Sequence, residues 1–190
     1  MVRGACPPGA AVRLAAAFFL SLCPWTLAGA ERAPAGAPRP MFAPSVAPQL
    51  GPAVRYAIAG AARLLADQNC RQIFLDFRDA SGRTLQRRLE AVGQDGAGFL
   101  GEISFANGTG RAPCVPSSRL AFTSPGSRVV YICATRFELM GRRSPTFASQ
   151  MIIHELLHAL GLGENPPDTH AITAQVAQRC RPAALSFLPK

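Results

Sequence analysis

The sequence predicts an α+β domain. Three observations lead there: helical apolar spacing over residues 53–68 and again from Ser144 onward, short β-type runs bounded by turn residues between them, and a length that suits one core.

Residues 1–30 stand apart from that domain. Arg3 and Arg13 supply a positive start and 14–27 an apolar stretch. Ala28-Gly29-Ala30 is the small-x-small pattern cut by signal peptidase, so a mature chain is expected to begin at Glu31 and to be secreted or periplasmic. The stretch is short and interrupted by Pro24, so no stable membrane anchor is expected. Leu20-Ser21-Leu22-Cys23 is a poor lipidation site, because a leucine stands where a small residue belongs. Of the 190 residues, 160 remain after this segment, enough for one hydrophobic core and too few for two comfortable ones.

Residues 31–52 hold six prolines among alanines and glycines, which disfavours helix and central strand alike. They read as a linker or disordered leader, with the folded domain at 53–190. Val54, Ile58, Ala62 and Leu65 fall at helical spacing and predict a first helix over 53–68. Residues 72–77 alternate in part and predict a strand, after which Asp79-Ala80-Ser81-Gly82 turns the chain. A short helix is expected over 84–91, with Leu85 and Leu89 inward. A strand is expected over 99–105, before the Asn107-Gly108 turn signal. Residues 120–123 and 129–133 flank Ser124-Pro125-Gly126-Ser127 and predict a hairpin.

Ser144-Pro145 is an N-cap residue followed by proline at the first helical position, and nothing interrupts a helix from there to Leu160. Gly161, Gly163 and Pro166-Pro167 then stop it, and 171–179 predict a final helix.

Four cysteines follow residue 30: Cys70, Cys114, Cys133 and Cys180. An even number in an exported chain predicts two disulfides, and the absence of C-x-x-C spacing argues against a structural metal site. Of the three pairings, Cys114–Cys133 with Cys70–Cys180 is favoured, because the first pair flanks the predicted hairpin. Beyond residue 30 there are 18 basic and 11 acidic residues, a net charge of +7, and Lys190 is the only lysine. The arginines are scattered, with adjacent pairs only at Arg87-Arg88 and Arg142-Arg143, so no specific nucleic-acid partner is expected.

The chemistry sits in His154-Glu155-Leu156-Leu157-His158. At 3.6 residues per turn the two histidines lie about 40° apart around the axis, so their imidazoles can converge on one small cation. Ile152, Ile153, Leu156, Leu157 and Leu160 occupy a broad aliphatic arc on the other side. Glu155 is rotated about 100° from His154, near enough to hold a metal-bound water without displacing it. With the chain's 3 His and 6 Glu, chance would place this pattern in roughly one such chain in several hundred, so coincidence is the weaker explanation. All three histidines lie within 154–170.

His154-Glu155-Leu156-Leu157-His158-Ala159-Leu160-Gly161-Leu162-Gly163-Glu164 resembles the zincin metallopeptidases, and within them the metzincin pattern H-E-x-x-H-x-x-G-x-x-(third ligand). The resemblance implies a zincin-like fold, a small twisted sheet with the active-site helix packed beneath an edge strand that binds extended peptide. It implies Zn²⁺ held by His154, His158 and Glu164, with Glu155 as general base. Two features depart from the pattern: glutamate replaces the usual histidine at 164, and no methionine follows Met151 to form a Met-turn. Asp168 and His170 are alternative third ligands. His170 suits zinc chemically but lies beyond Pro166-Pro167, whereas Glu164 needs only the sharp turn that Gly161 and Gly163 permit.

The expected function is that of an exported zinc metallopeptidase acting on a peptide or protein substrate. The alternatives are a non-catalytic metal-binding or interaction domain, and a zinc hydrolase of a non-protein amide such as a cell-wall peptide. A purely structural zinc site needs no general base, so Glu155 favours catalysis. Residues 129–133 or 99–105 are the candidate substrate-binding edge, and Tyr56 and Tyr131 the candidate oxyanion stabilisers.

Overall fold

A computed structural model of the chain describes residues 43–115 and 118–182. The expected signal segment and most of the expected leader lie outside the described residues.

The fold is α+β. Helix α1 (Pro52–Ala66) is followed by short helices α2 (Gln68–Arg71), α3 (Ile73–Asp76), α4 (Leu85–Ala91) and α5 (Gly96–Gly101). Three longer helices close the chain: α6 (Ala134–Arg143), α7 (Pro145–Ala159) and α8 (Thr169–Arg179). Strands β1 (Ser45–Val46), β2 (Ser104–Asn107), β3 (Ala121–Phe122) and β4 (Val129–Ile132) form one sheet in the order β1-β2-β4-β3. The first three of that order run parallel, and β3 is antiparallel to β4 at the outer edge, with Phe122 opposite Tyr131.

Helix α7 lies at the centre. It packs against α1, α6, α8 and the β3–β4 hairpin, so all of residues 152–159 are buried, histidines and glutamate included. A helix packed on most of its faces needs little amphipathicity, and here the aliphatic arc of Ile152, Ile153, Leu156 and Leu157 meets Val54, Ala57, Ile58, Ala61 and Leu65 of α1 in one core. The α1–α7 approach depends on Gly60, where an added Cβ would stand 2.1 Å from Ser149 Oγ. Pro145 holds the first helical position of α7, but the Ser144 side chain makes no cap bond; its carbonyl accepts from Ala148 N–H instead.

The expected helices over 53–68, 84–91, 145–160 and 171–179 and the hairpin all form, and the cysteines pair as Cys70–Cys180 and Cys114–Cys133. Four expectations need correction. Residues 72–77 are not a strand. Asp67 caps α2 through Asn69 and Cys70, the helical path continues, and the buried pair is the adjacent Ile73 and Phe74, while Leu75 of the alternating set is 48% exposed. Within 99–105 the first part is helical, because Asp95 caps α5 through Gly98 N–H, and pairing starts only at Ser104. The end of the expected leader belongs to the fold: Ser45 and Val46 pair with Ser104 and Phe105, and Leu50 is buried. Finally, α6 was not anticipated. It anchors by Phe137 and Gly141, one turn apart, with Arg142 and Arg143 in its last turn where the helix dipole favours cations.

Among the described residues no helix is long and apolar enough to cross a membrane.

Candidate metal centre

Helix α7 carries His154, Glu155 and His158, each at most 5% exposed. The two Nε2 atoms stand 3.2 Å apart, and Glu164 Oε1 reaches within 3.4 Å of His158 Nε2. Among the described residues His154, His158 and Glu164 form a group whose ligand atoms all lie within 4.8 Å of one another.

Glu164 reaches the histidines because of how α7 ends. Gly161 adopts φ 109°, its N–H donates to the His158 carbonyl, and Leu162 N–H donates to the Leu157 carbonyl. This is the paired-bond C-terminal motif that glycine serves best, and it folds the following residues back over the helix face. Thr169 Oγ1 then donates to Glu164 Oε1 at 2.5 Å. That bond holds the Glu164 carboxyl below its ordinary pKa against partial burial, with help from His158, Arg119 and His154.

Each imidazole is oriented through its other nitrogen. His158 Nδ1 lies 2.8 Å from the Leu162 carbonyl oxygen, which can only accept, so Nδ1 carries a proton and the ring is aimed with Nε2 toward His154 and Glu164. His154 Nδ1 meets Thr173 Oγ1 on α8 at 3.1 Å. Burial first, then the neighbouring His158, lowers the His154 pKa to about 4, so its ring is neutral near pH 7. Second partners of this kind are what fix the tautomer and aim of metal-binding histidines.

Two ring nitrogens and a carboxylate this close are held together either by a proton on one ring, shared as a hydrogen bond or ion pair, or by a cation among them. In a tetrahedral site with bonds of about 2.0–2.1 Å, ligand atoms sit roughly 3.3–3.4 Å apart, close to the two separations from His158 Nε2 at 3.2 and 3.4 Å, while all three ligand atoms lie within 4.8 Å. The donor set therefore fits a small divalent cation.

Glu155 is outside that set. Its Oε2 is, among the described residues, a buried oxygen without a hydrogen-bond partner. Burial pushes its carboxyl up to about 8; Arg119 opposes the rise and Glu164 adds to it. It lines a cleft of about 540 Å³ together with His154, Glu164 and Arg119. A smaller recess of about 110 Å³ on the hairpin side is lined by Glu155, His158, Glu164 and Pro125. The hairpin is tied there by a 2.9 Å bond from Gly126 N–H to the His158 carbonyl.

The other sequence candidates fall elsewhere. Asp168 caps α8 by accepting from Ala171 N–H at 2.7 Å, and His170 lines the cleft outside the ligand group. Tyr56 is 73% exposed beside a separate groove of about 880 Å³ along α1. Tyr131 stacks on Phe122, ring centroids 5.0 Å apart, with Arg111 over its face. Neither tyrosine lines the cleft. Both candidate substrate-binding strands prove to be interior, since β2 and β4 each have neighbours on two sides; the edge strand beside the cleft is β3. Sequence reading missed Thr173, Thr169 and Arg119, which carry no motif and come to the site only through the placement of α8 and β3.

Compared with protein-family models, curated proteins and solved structures, the chain shows no significant match to any.

Proposed function

We propose that the chain is an exported zinc-dependent metallopeptidase. The observation that carries this reading is Glu155: a buried carboxylate with an unpartnered oxygen, beside two histidines and a glutamate that fit a cation, on the wall of an open cleft. A site meant only to hold the fold together would have no use for that carboxylate. The resemblance of residues 154–164 to the metzincin pattern points the same way.

His154, His158 and Glu164 would hold the zinc, which supplies Lewis acidity toward a carbonyl and lowers the pKa of water. The chain's own groups do the rest. Glu155, ionised once the positive charge of the held cation offsets the effect of burial on its carboxyl, accepts the proton of the attacking water and returns it to the leaving amine as the C–N bond breaks. Arg119, on the rim of both recesses, places positive charge where the carbonyl oxygen becomes negative. Among the described residues strand β3 is paired on one side only, and Leu120 and Ala121 line the cleft, so an extended peptide can add there by main-chain hydrogen bonds.

Export is supported by the N-terminal segment and by two disulfides, which persist in oxidising compartments. The test is cleavage of a denatured generic protein by the disulfide-bonded chain. Cleavage that stops with chelator and returns with zinc is expected; cleavage indifferent to chelator would contradict the proposal.

A further inference from the structure

Away from the ligand group, the cleft is built by two helix faces. Helix α6 presents Arg136, Leu139, Met140 and Arg143, spaced i, i+3, i+4 and i+7, and α7 presents Phe147 and Met151 on the same line as His154 and Glu155. Leu139 is 50% exposed and stands beside Met140 between the two arginines of this face. Among the described residues the lining contains two carboxylates, Glu155 and Glu164, both at the ligand group, and away from that group and the start of α8 it is mainly apolar and cationic. Arg136 is engaged with the carbonyls of Cys114, Val115 and Arg119, which hold its position. No carboxylate among the described residues forms an ion pair with Arg119 or Arg143.

An apolar floor with arginines on its rim fits a chain that carries both an apolar side chain and a carboxylate. We propose that the cleft selects acidic peptides: an apolar side chain lies between α6 and α7, and a neighbouring Asp or Glu side chain meets Arg143, with Arg119 favouring the same charge nearer the ligand group. The proposal rests on the peptidase reading for the bond that is cut, but the selection is a property of the cleft and is measurable without turnover.

The experiment uses labelled peptides alike except for Glu, Gln or Lys beside one Leu, read by anisotropy on the Glu155→Gln protein and by cleavage with the native chain. Rim charges facing an open cleft are partly screened, so a Glu-over-Lys preference of about tenfold that shrinks with salt is expected. Arg143→Glu should abolish or reverse it. Arg55→Glu, the same charge change on exposed α1 outside the cleft, should leave it unchanged. Equal binding of the three peptides, or an equal loss in both variants, overturns the inference, as does competition by an oligonucleotide as strong as by the peptide. Selective binding without any cleavage would uphold the inference while removing the peptidase reading; cleavage without charge preference would do the reverse.

Discussion

His158 Nδ1 lies 2.8 Å from the carbonyl oxygen of Leu162, four residues ahead in sequence and already beyond the end of the helix that carries the histidine. The ring is therefore aimed by the turn that follows it. The same turn brings Glu164 to the two Nε2 atoms, so the shape of residues 160–164 decides whether three donors converge.

Gly161 is the hinge of that shape. At φ 109° an alanine is strained by about 1–2 kcal/mol, while Asp79 Cβ at 3.5 Å leaves room for the added methyl. Gly161→Ala should lower the urea midpoint accordingly and weaken zinc binding, because the Leu162 carbonyl and Glu164 both shift. Unchanged stability would mean that the turn has another, unstrained solution.

The third ligand is tested by comparing Glu164→Ala with His170→Ala. Loss of a carboxylate that sits 3.4 Å from His158 Nε2 should reduce zinc affinity at least tenfold, and loss of His170, which is outside the ligand group, should have little effect. Tight binding by the first variant and loss by the second would reverse the assignment.

Asp76 joins the N-terminal helices to α8. Its carboxylate accepts from Arg179 Nε at 2.7 Å, Arg179 Nη2 at 2.9 Å and Gln175 Nε2 at 2.7 Å. Partial burial works against ionisation, but these bonds outweigh it and hold the carboxyl below its ordinary value. A depressed carboxyl contributes stability above its unfolded pKa of about 3.9, and that contribution fades as the pH falls through the lower folded value. Asp76→Asn should cost about 1 kcal/mol at pH 7, and the difference from the native chain should be smaller at an acid pH below about 3.9. Urea titrations at both pH values check this, and an equal difference at both would remove the ion pair as its cause.

Much of this arrangement was readable from residue order alone. The spacing of His154 and His158, the glycine at 161 and the turn residues at 124–127 each act locally, so local reasoning found them. The errors arose where tertiary packing chose between local options. Ile73, Leu75 and Phe77 alternate as a strand would, yet the Asp67 cap and the Cys70–Cys180 link to α8 favour a helix that buries Ile73 with Phe74. The apolar run through Phe99 and Leu100 ends a capped helix before it enters the sheet. Thr173 and Arg119 could not be found this way, since each gains its role only when α8 or β3 is set against α7.

The central claim is that Glu155 is a proton acceptor beside a zinc it does not bind, and zinc content measured together with turnover in Glu155→Gln tests it most directly. The account predicts one zinc per chain in both the native protein and the variant, with turnover falling about 10²- to 10⁴-fold, because the amide keeps the shape and removes the base. Native-level turnover in a variant that still holds zinc would contradict it.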